Sequence, residues 1–333
     1  MDREKLSLSR RRLGCLAAAL PLALAAPTVR AQGTSWTMAT EYPASTVSGE
    51  GIAFFAGSLA TKSSGQIAVT SSYDAALGLT SAQIVTAIGD GRLAAGCAFA
   101  GALGDIDPLF LLSSLPFVAT DESIARRLLD KARALYARAF ASHNQHLLYA
   151  TPWPATGVWA KKPILTPADL AGLKLRVYDA TGVEVFKAAG AAPVNLSFAD
   201  TMPRLRDGSV EAVLSSGDGG AGRKLWELLP HFTEIGYAMP LSFATVATAK
   251  YQSLSPDLKA AVDDAANATQ AEQWKRLDRR VEDNRDRLRA NKVTIATADQ
   301  VRPALRRIFA SAAASAVAAW KGKVGTDAAM LPG

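Results

Sequence analysis

Hydrophobic positions in the first part of the chain switch repeatedly between a period of two and a period near 3.6. Ser35 to Ala39 reads as a strand, and Gly49 to Thr61 as a helix with Ile52, Phe54, Phe55 and Leu59 on its apolar side, ended by Ser63-Ser-Gly-Gln. Ile67 to Ser71 returns to strand, Ser81 to Asp90 to a helix closed by Gly91, and Leu93 to Phe99 to strand. This β-α-β-α-β order predicts a parallel sheet covered by helices on both faces. A short element at Leu115 to Val118, a helix over Asp121 to Ser142 and a strand over His146 to Thr151 follow.

A second half begins at Trp153. Thr166 caps a helix with Pro167 at its first position, where a missing N–H costs nothing. The pattern then predicts a strand at Leu173 to Val177, a helix at Thr181 to Ala189 and a short strand at Pro193 to Asn195. Ser197 to Asp207 follows as a helix ended by Gly208, and Ser209 to Ser215 as a strand. Asp257 to Asn291 predicts one almost uninterrupted helix of about nine turns, long enough to run across both halves. The alanine-rich run Ala310 to Ala319 is a good helix former.

The N-terminus changes the charge picture. Arg3, Lys5, Arg10, Arg11 and Arg12 precede the apolar run Leu13 to Ala25, and Val29-Arg30-Ala31 offers a small-residue cleavage site, so residues 1–31 read as a cleaved export signal. Ser9-Arg10-Arg11-Arg12-Leu13 fits either a twin-arginine or an ordinary secretory signal, and both lead to the periplasm. The apolar run is short of the roughly 20 residues a membrane span needs. That segment holds six basic and two acidic residues, +4 of the formal +7, which leaves +3 on the mature chain. So mild a charge argues against nucleic-acid binding, and the basic run Lys275 to Arg289 is interleaved with Asp278, Glu282, Asp283 and Asp286 as on a solvated helix face. Of the two cysteines only Cys97 survives cleavage, in an apolar run with no adjacent base, which reads as a buried inert thiol.

Candidate chemistry centres on Arg176, flanked by Leu175 and Val177 in a β-type run where the pattern wants core. A buried guanidinium needs an anion. Its planar fork suits a carboxylate, either an acidic side chain of the core or a ligand. Gly217-Asp-Gly219-Gly220-Ala-Gly222 meets a G-x-G-x-x-G pattern, but the acid expected about 20 residues later on a second strand is missing, so it reads as a flexible glycine-rich turn rather than a dinucleotide site. His143, His146 and His231 lack zinc-site spacing, and neither a Gly-x-Ser-x-Gly elbow nor a His-Glu-x-x-His helix occurs. We therefore expect neither cofactor nor metal, and no catalytic residues.

The stretch Asp169-Leu-Ala-Gly-Leu-Lys-Leu-Arg176-Val-Tyr-Asp179, with Gly190 to Ala212 behind it, resembles the central segment of the extracytoplasmic solute receptors of tripartite ATP-independent periplasmic (TRAP) transporters, of the dicarboxylate-receptor type. Lys62-Ser-Ser-Gly-Gln-Ile, Ala76-Leu-Gly78, Leu115-Pro116-Phe117, Leu254 to Ala265 and Asn291 to Ile295 resemble further family elements in the same order. The resemblance implies an α/β fold of two lobes joined by β-strand crossovers and a long spanning helix, closing on ligand like a hinge. Lobe 1 is then residues 32–152 plus C-terminal elements, lobe 2 residues 153–250, and the spanning helix residues 255–291.

The resemblance also implies roles for particular residues. Arg176 holds the ligand carboxylate and Phe198 lines the cleft or is ordinary core. Asp179 and Ser215 stand at polar contact positions where the family commonly has asparagine, and Glu41 at a contact position suited to a ligand hydroxyl, amine or cation. Thr156 stands where some members carry a second arginine. One anion anchor instead of two favours a monocarboxylate with an apolar body, against which Trp153 and Trp159 pack unless they are core. The expected partners are such a ligand and the membrane subunits of a TRAP transporter, with a homodimer through the long helix left open. An exported enzyme or a ligand sensor on the same scaffold remains the alternative.

Overall fold

The structure is a computed structural model that describes residues 34–331. The expected export signal, residues 1–31, lies outside the described residues. The first half comprises β1 (Thr34–Ala39), α1 (Val47–Lys62), β2 (Ile67–Ser72), α2 (Ser81–Gly89), β3 (Ala95–Phe99), α3 (Glu122–Ser142) and β4 (Gln145–Pro152). The second comprises β5 (Thr156–Ala160), α4 (Pro167–Leu170), β6 (Lys174–Val177), α5 (Ala180–Ala188), β7 (Ala192–Asn195), α6 (Phe198–Arg206), β8 (Ala212–Ser216), α7 (Gly217–Gly222) and β9 (His231–Thr233). After these come β10 (Leu241–Ala247), α8 (Thr248–Gln252), α9 (Pro256–Lys275), α10 (Leu277–Ala290), β11 (Thr294–Ala296) and α11 (Pro303–Val324).

Two sheets organise the molecule. The first has strand order β2-β1-β3-β10-β4 and the second β11-β9-β5-β8-β6-β7. The predicted parallel pairing holds for β2, β1 and β3, but β10 runs antiparallel to both β3 and β4. This corrects the expected extent of the second half, because β10 lies within residues 153–250 and yet pairs in the first sheet. Burial explains why it can: every residue of Leu241–Ala247 is buried. Leu241 and Phe243 join one core cluster, Ala244 and Val246 another, as alternating faces of a central strand require. The chain therefore crosses between halves at Trp153–Ala155, which links β4 to β5, and again between β9 and β10.

The predicted long helix is two helices in succession, separated at Arg276 with φ −83° and ψ −9°. Each serves a different half. α9 packs on α1 and β4, burying Val262, Ala265, Ala266 and Thr269, whereas α10 packs on α7 and β11 and buries only Leu277, Asn284 and Leu288. No helix among the described residues is long and apolar enough to cross a membrane.

The glycine-rich run is likewise no flexible turn. It forms α7, capped by Ser216, whose Oγ accepts from Gly219 N at 3.1 Å. Its glycines permit close approach. A Cβ on Gly220 would lie 2.2 Å from the Trp159 ring, and one on Gly222 would lie 2.5 Å from Thr46 Cγ2 at the start of α1 in the other half.

Candidate functional site

Arg176 sits on β6 between β7 and β8, in register with Val194 and Val213. The side chain is 3% exposed. Nε donates to Leu196 O at 2.9 Å and Nη1 to Leu214 O at 3.1 Å, so two main-chain carbonyls orient the guanidinium. Among the described residues Nη2 has no acceptor and no carboxylate forms an ion pair with Arg176. Burial lowers its pKa, and an arginine stays charged regardless. The guanidinium carbon lies 5.0 Å from the Phe198 ring centroid and 5.9 Å from that of Tyr178, within cation–π range of both.

Two spaces meet at this arginine. One is a small chamber of about 20 Å³ bordered by Tyr42, Trp153, Thr156, Phe198 and Ser215. The other is a cleft of about 270 Å³ bordered by Glu41, Asp179, Asn195 and Asp200. Phe99, Arg176 and Tyr178 border both. The chamber has room for little more than one water. The aromatic wall is continuous: the Tyr42 ring is 4.7 Å from Trp153 and 6.3 Å from Phe198, and Phe99 meets Tyr178 edge-on at 5.1 Å. Trp153 is held by Nε1 donating to Ser242 Oγ at 2.9 Å. Trp159 is elsewhere, fully buried against Phe232 and Gly220, and is core.

The two acids flanking the arginine differ. Asp179 is the N-cap of α5: Oδ1 accepts from Gly182 N at 2.6 Å, while Oδ2 is buried without a partner. Burial pushes its pKa up to about 7. Glu41 lies just past β1, and both of its oxygens accept from Ser81, from the backbone N at 3.2 Å and from Oγ at 3.0 Å. Burial raises its pKa too, with those hydrogen bonds opposing the rise. Its expected role as a free partner for a ligand amine or cation is thus reduced, because the carboxylate already anchors the start of α2.

The remaining predicted residues also border the chamber. Thr156 Oγ1 donates to Ala238 O at 2.7 Å and lies 3.2 Å from the Tyr178 hydroxyl, while Ser215 Oγ makes no hydrogen bond to a described residue. Sequence reasoning missed Tyr42, Phe99, Tyr178 and Arg223. For Tyr178 a signal existed: it stands two residues beyond Arg176, just past the end of β6, where strand alternation carried one step further puts it on the same face. Cys97 on β3 is fully buried, and burial pushes its thiol up to about 12. Among the described residues no group of three His, Cys, Asp or Glu side chains is placed to hold a metal ion.

Residues 38–318 match the family described as bacterial extracellular solute-binding protein, family 7. The crystal structure of DctP7, a Bordetella pertussis extracytoplasmic solute receptor binding pyroglutamic acid, is similar at 25% identity and a TM-score of 0.85, covering 90% of this chain and 98% of that one. A marine metagenome TRAP solute-binding protein specific for pyroglutamate is similar at 28% identity and a TM-score of 0.84, covering 90% and 97%. The ectoine-binding periplasmic protein TeaA of Halomonas elongata is 27% identical over 180 residues, 50% of this chain and 51% of TeaA. The chain spans about half the length of the curated relatives it matches. It belongs to bacterial extracellular solute-binding protein family 7, and the solved structures it resembles are solute receptors of the same two-lobed fold.

Proposed function

We propose that this chain is the extracytoplasmic receptor of a TRAP transporter, capturing a small carboxylate through an ion pair with Arg176 and presenting it to membrane subunits. The observation that carries this reading is the guanidinium itself: buried, aimed by two carbonyls, and left with an open donor edge where two spaces meet. A carboxylate completes that edge bidentately. Closure of the two halves around the ligand excludes water and strengthens the pair. Capture without chemical change suits a site in which no nucleophile–base pair was recognised.

The best-fitting ligand class is a compact monocarboxylate whose ring offers an N–H, pyroglutamate being the simplest example. Aromatic side chains supply flat apolar walls for the ring. Asp179 Oδ2, buried and unpartnered, supplies an acceptor for the N–H when the carboxyl is ionised, and Ser215 a free hydroxyl. The two relatives of 25% and 28% identity that bind pyroglutamate support the same class.

Thermal melting against a panel of pyroglutamate, malate, galactonate and glucuronate tests this reading. A ligand at 100 times its Kd adds about 2.7 kcal/mol, several degrees in Tm for a chain of this size. Pyroglutamate is expected to give the largest shift and to be recovered unchanged. No shift with any carboxylate, or recovery of an altered ligand, contradicts it.

A further inference from the structure

Arg223 follows α7 in the second half, and its side chain crosses to the first. Nη2 donates to Glu41 O at 2.6 Å and Nη1 pairs with Asp74, in the loop after β2. The guanidinium carbon lies 5.6 Å from the Phe198 ring centroid. Phe198 therefore contacts two guanidiniums, Arg176 from its own half and Arg223, whose hydrogen bonds run to the other. Arg223 itself borders neither the chamber nor the cleft. Its side chain is 13% exposed, and Nε is buried without a partner.

Other links join the halves on the same side. Asp218 of α7 is fully buried, and its Oδ2 accepts from Val47 N at 2.9 Å, at the first turn of α1. Arg280 of α10 pairs with Asp218 at 2.6 Å and with Glu50 of α1 at 2.7 Å, and donates to Ser45 O at 2.5 Å. These links dock α7 and α10 onto the beginning of α1. Arg223 differs in touching the ligand walls on both sides at once, through Glu41 and Phe198.

We propose that Arg223 is a positioning residue for ligand retention: it clasps the second half to the loops after β1 and β2 when the halves are closed, and so governs how fast ligand leaves. This rests on the carboxylate-receptor reading above. Capture takes place in molecules whose halves are apart and whose Glu41 and Asp74 contacts are broken, in exchange with the clasped form. Removing the clasp must therefore act on dissociation and leave association nearly unchanged. A purely structural arginine would instead change folding stability and leave both rates alone.

The test is stopped-flow binding with pyroglutamate as the probe, on wild type, Arg223→Gln, Arg223→Lys and Asp74→Asn. Asp74 is 58% exposed in its side chain and lies outside the chamber, so Asp74→Asn weakens the clasp from its far end without disturbing the ligand walls. Arg223→Gln is expected to raise the dissociation rate about tenfold or more, with association within about threefold, Asp74→Asn to raise dissociation several-fold, and Arg223→Lys to fall between wild type and Arg223→Gln. An unchanged dissociation rate in Arg223→Gln and Asp74→Asn, or a loss confined to association, overturns the clasp. If wild type itself fails to bind pyroglutamate, the ligand reading has failed, and the clasp is then read without ligand. Spin labels at Thr61 and Lys187, exposed positions of α1 and α5, should report a longer distance in Arg223→Gln than in wild type. Identical distance distributions overturn it.

Discussion

The Arg176 guanidinium lies over the Phe198 ring at 5.0 Å while two main-chain carbonyls fix its orientation. The ring offers a negative face to a desolvated cation, a contact worth about 0.5–2 kcal/mol. Phe198→Leu keeps an apolar side chain, of smaller volume, and loses that face. Melting is expected to show a lower Tm, from the lost contact and the smaller buried side chain, and calorimetry a weaker carboxylate affinity because the guanidinium is held less firmly.

Asp179 makes stability depend on pH. Burial raises its carboxyl from the ordinary 3.8 to about 7, so between those values the folded protein binds the proton that the unfolded chain has released. Stability from this group is therefore full below about pH 4 and is lost as pH rises through about 7, by at most roughly 4 kcal/mol. Asp179→Asn preserves the N-cap acceptor and removes the titration. Ligand-free melting from pH 5 to 8 should show Tm falling in wild type relative to Asp179→Asn; parallel curves contradict the assignment.

Gly222 and Thr46 meet across the two halves. A Cβ at position 222 would stand 2.5 Å from Thr46 Cγ2, and overpacking of this kind costs about 1–3 kcal/mol. Gly222→Ala is thus expected to weaken ligand binding by opposing closure, and Thr46→Ser, which deletes only that methyl, to restore much of the affinity. Additive effects in the double-mutant cycle would show that the two positions do not meet when ligand is bound.

Thr156 offers a contrast. Its hydroxyl donates to Ala238 O, but that carbonyl also accepts from Thr156 N at 2.8 Å and keeps a partner if the hydroxyl is lost. Thr156→Ala should cost about 0.5–1.5 kcal/mol of stability and change carboxylate affinity by less than about threefold.

Which parts of this were readable in the chain follows from how local each signal is. The helix-and-strand order was, because periodicity and caps such as Ser197 and Thr166 act within a few residues. Arg176 was, because a guanidinium between Leu175 and Val177 stands out against its neighbours. The place of β10 was not: its uniformly buried run carries no alternation, and its partners β3 and β4 lie 143–151 and 89–102 residues upstream. Arg223 and Asp218 were hidden for the same reason, since their contacts with Asp74 and Val47 span 149 and 171 residues. The glycines of α7 resembled a phosphate loop because close packing against Trp159 and Thr46 requires the same missing side chains that a phosphate cradle does.

Titration calorimetry of pyroglutamate into wild type and Arg176→Lys tests the central claim most directly. Lysine keeps the positive charge but cannot reproduce a fork held by Leu196 O and Leu214 O with one edge left for a carboxylate. The account predicts a loss of about 2 kcal/mol or more, roughly 30-fold in Kd, with the variant still folded. Near-normal affinity in Arg176→Lys would contradict it and place the carboxylate elsewhere.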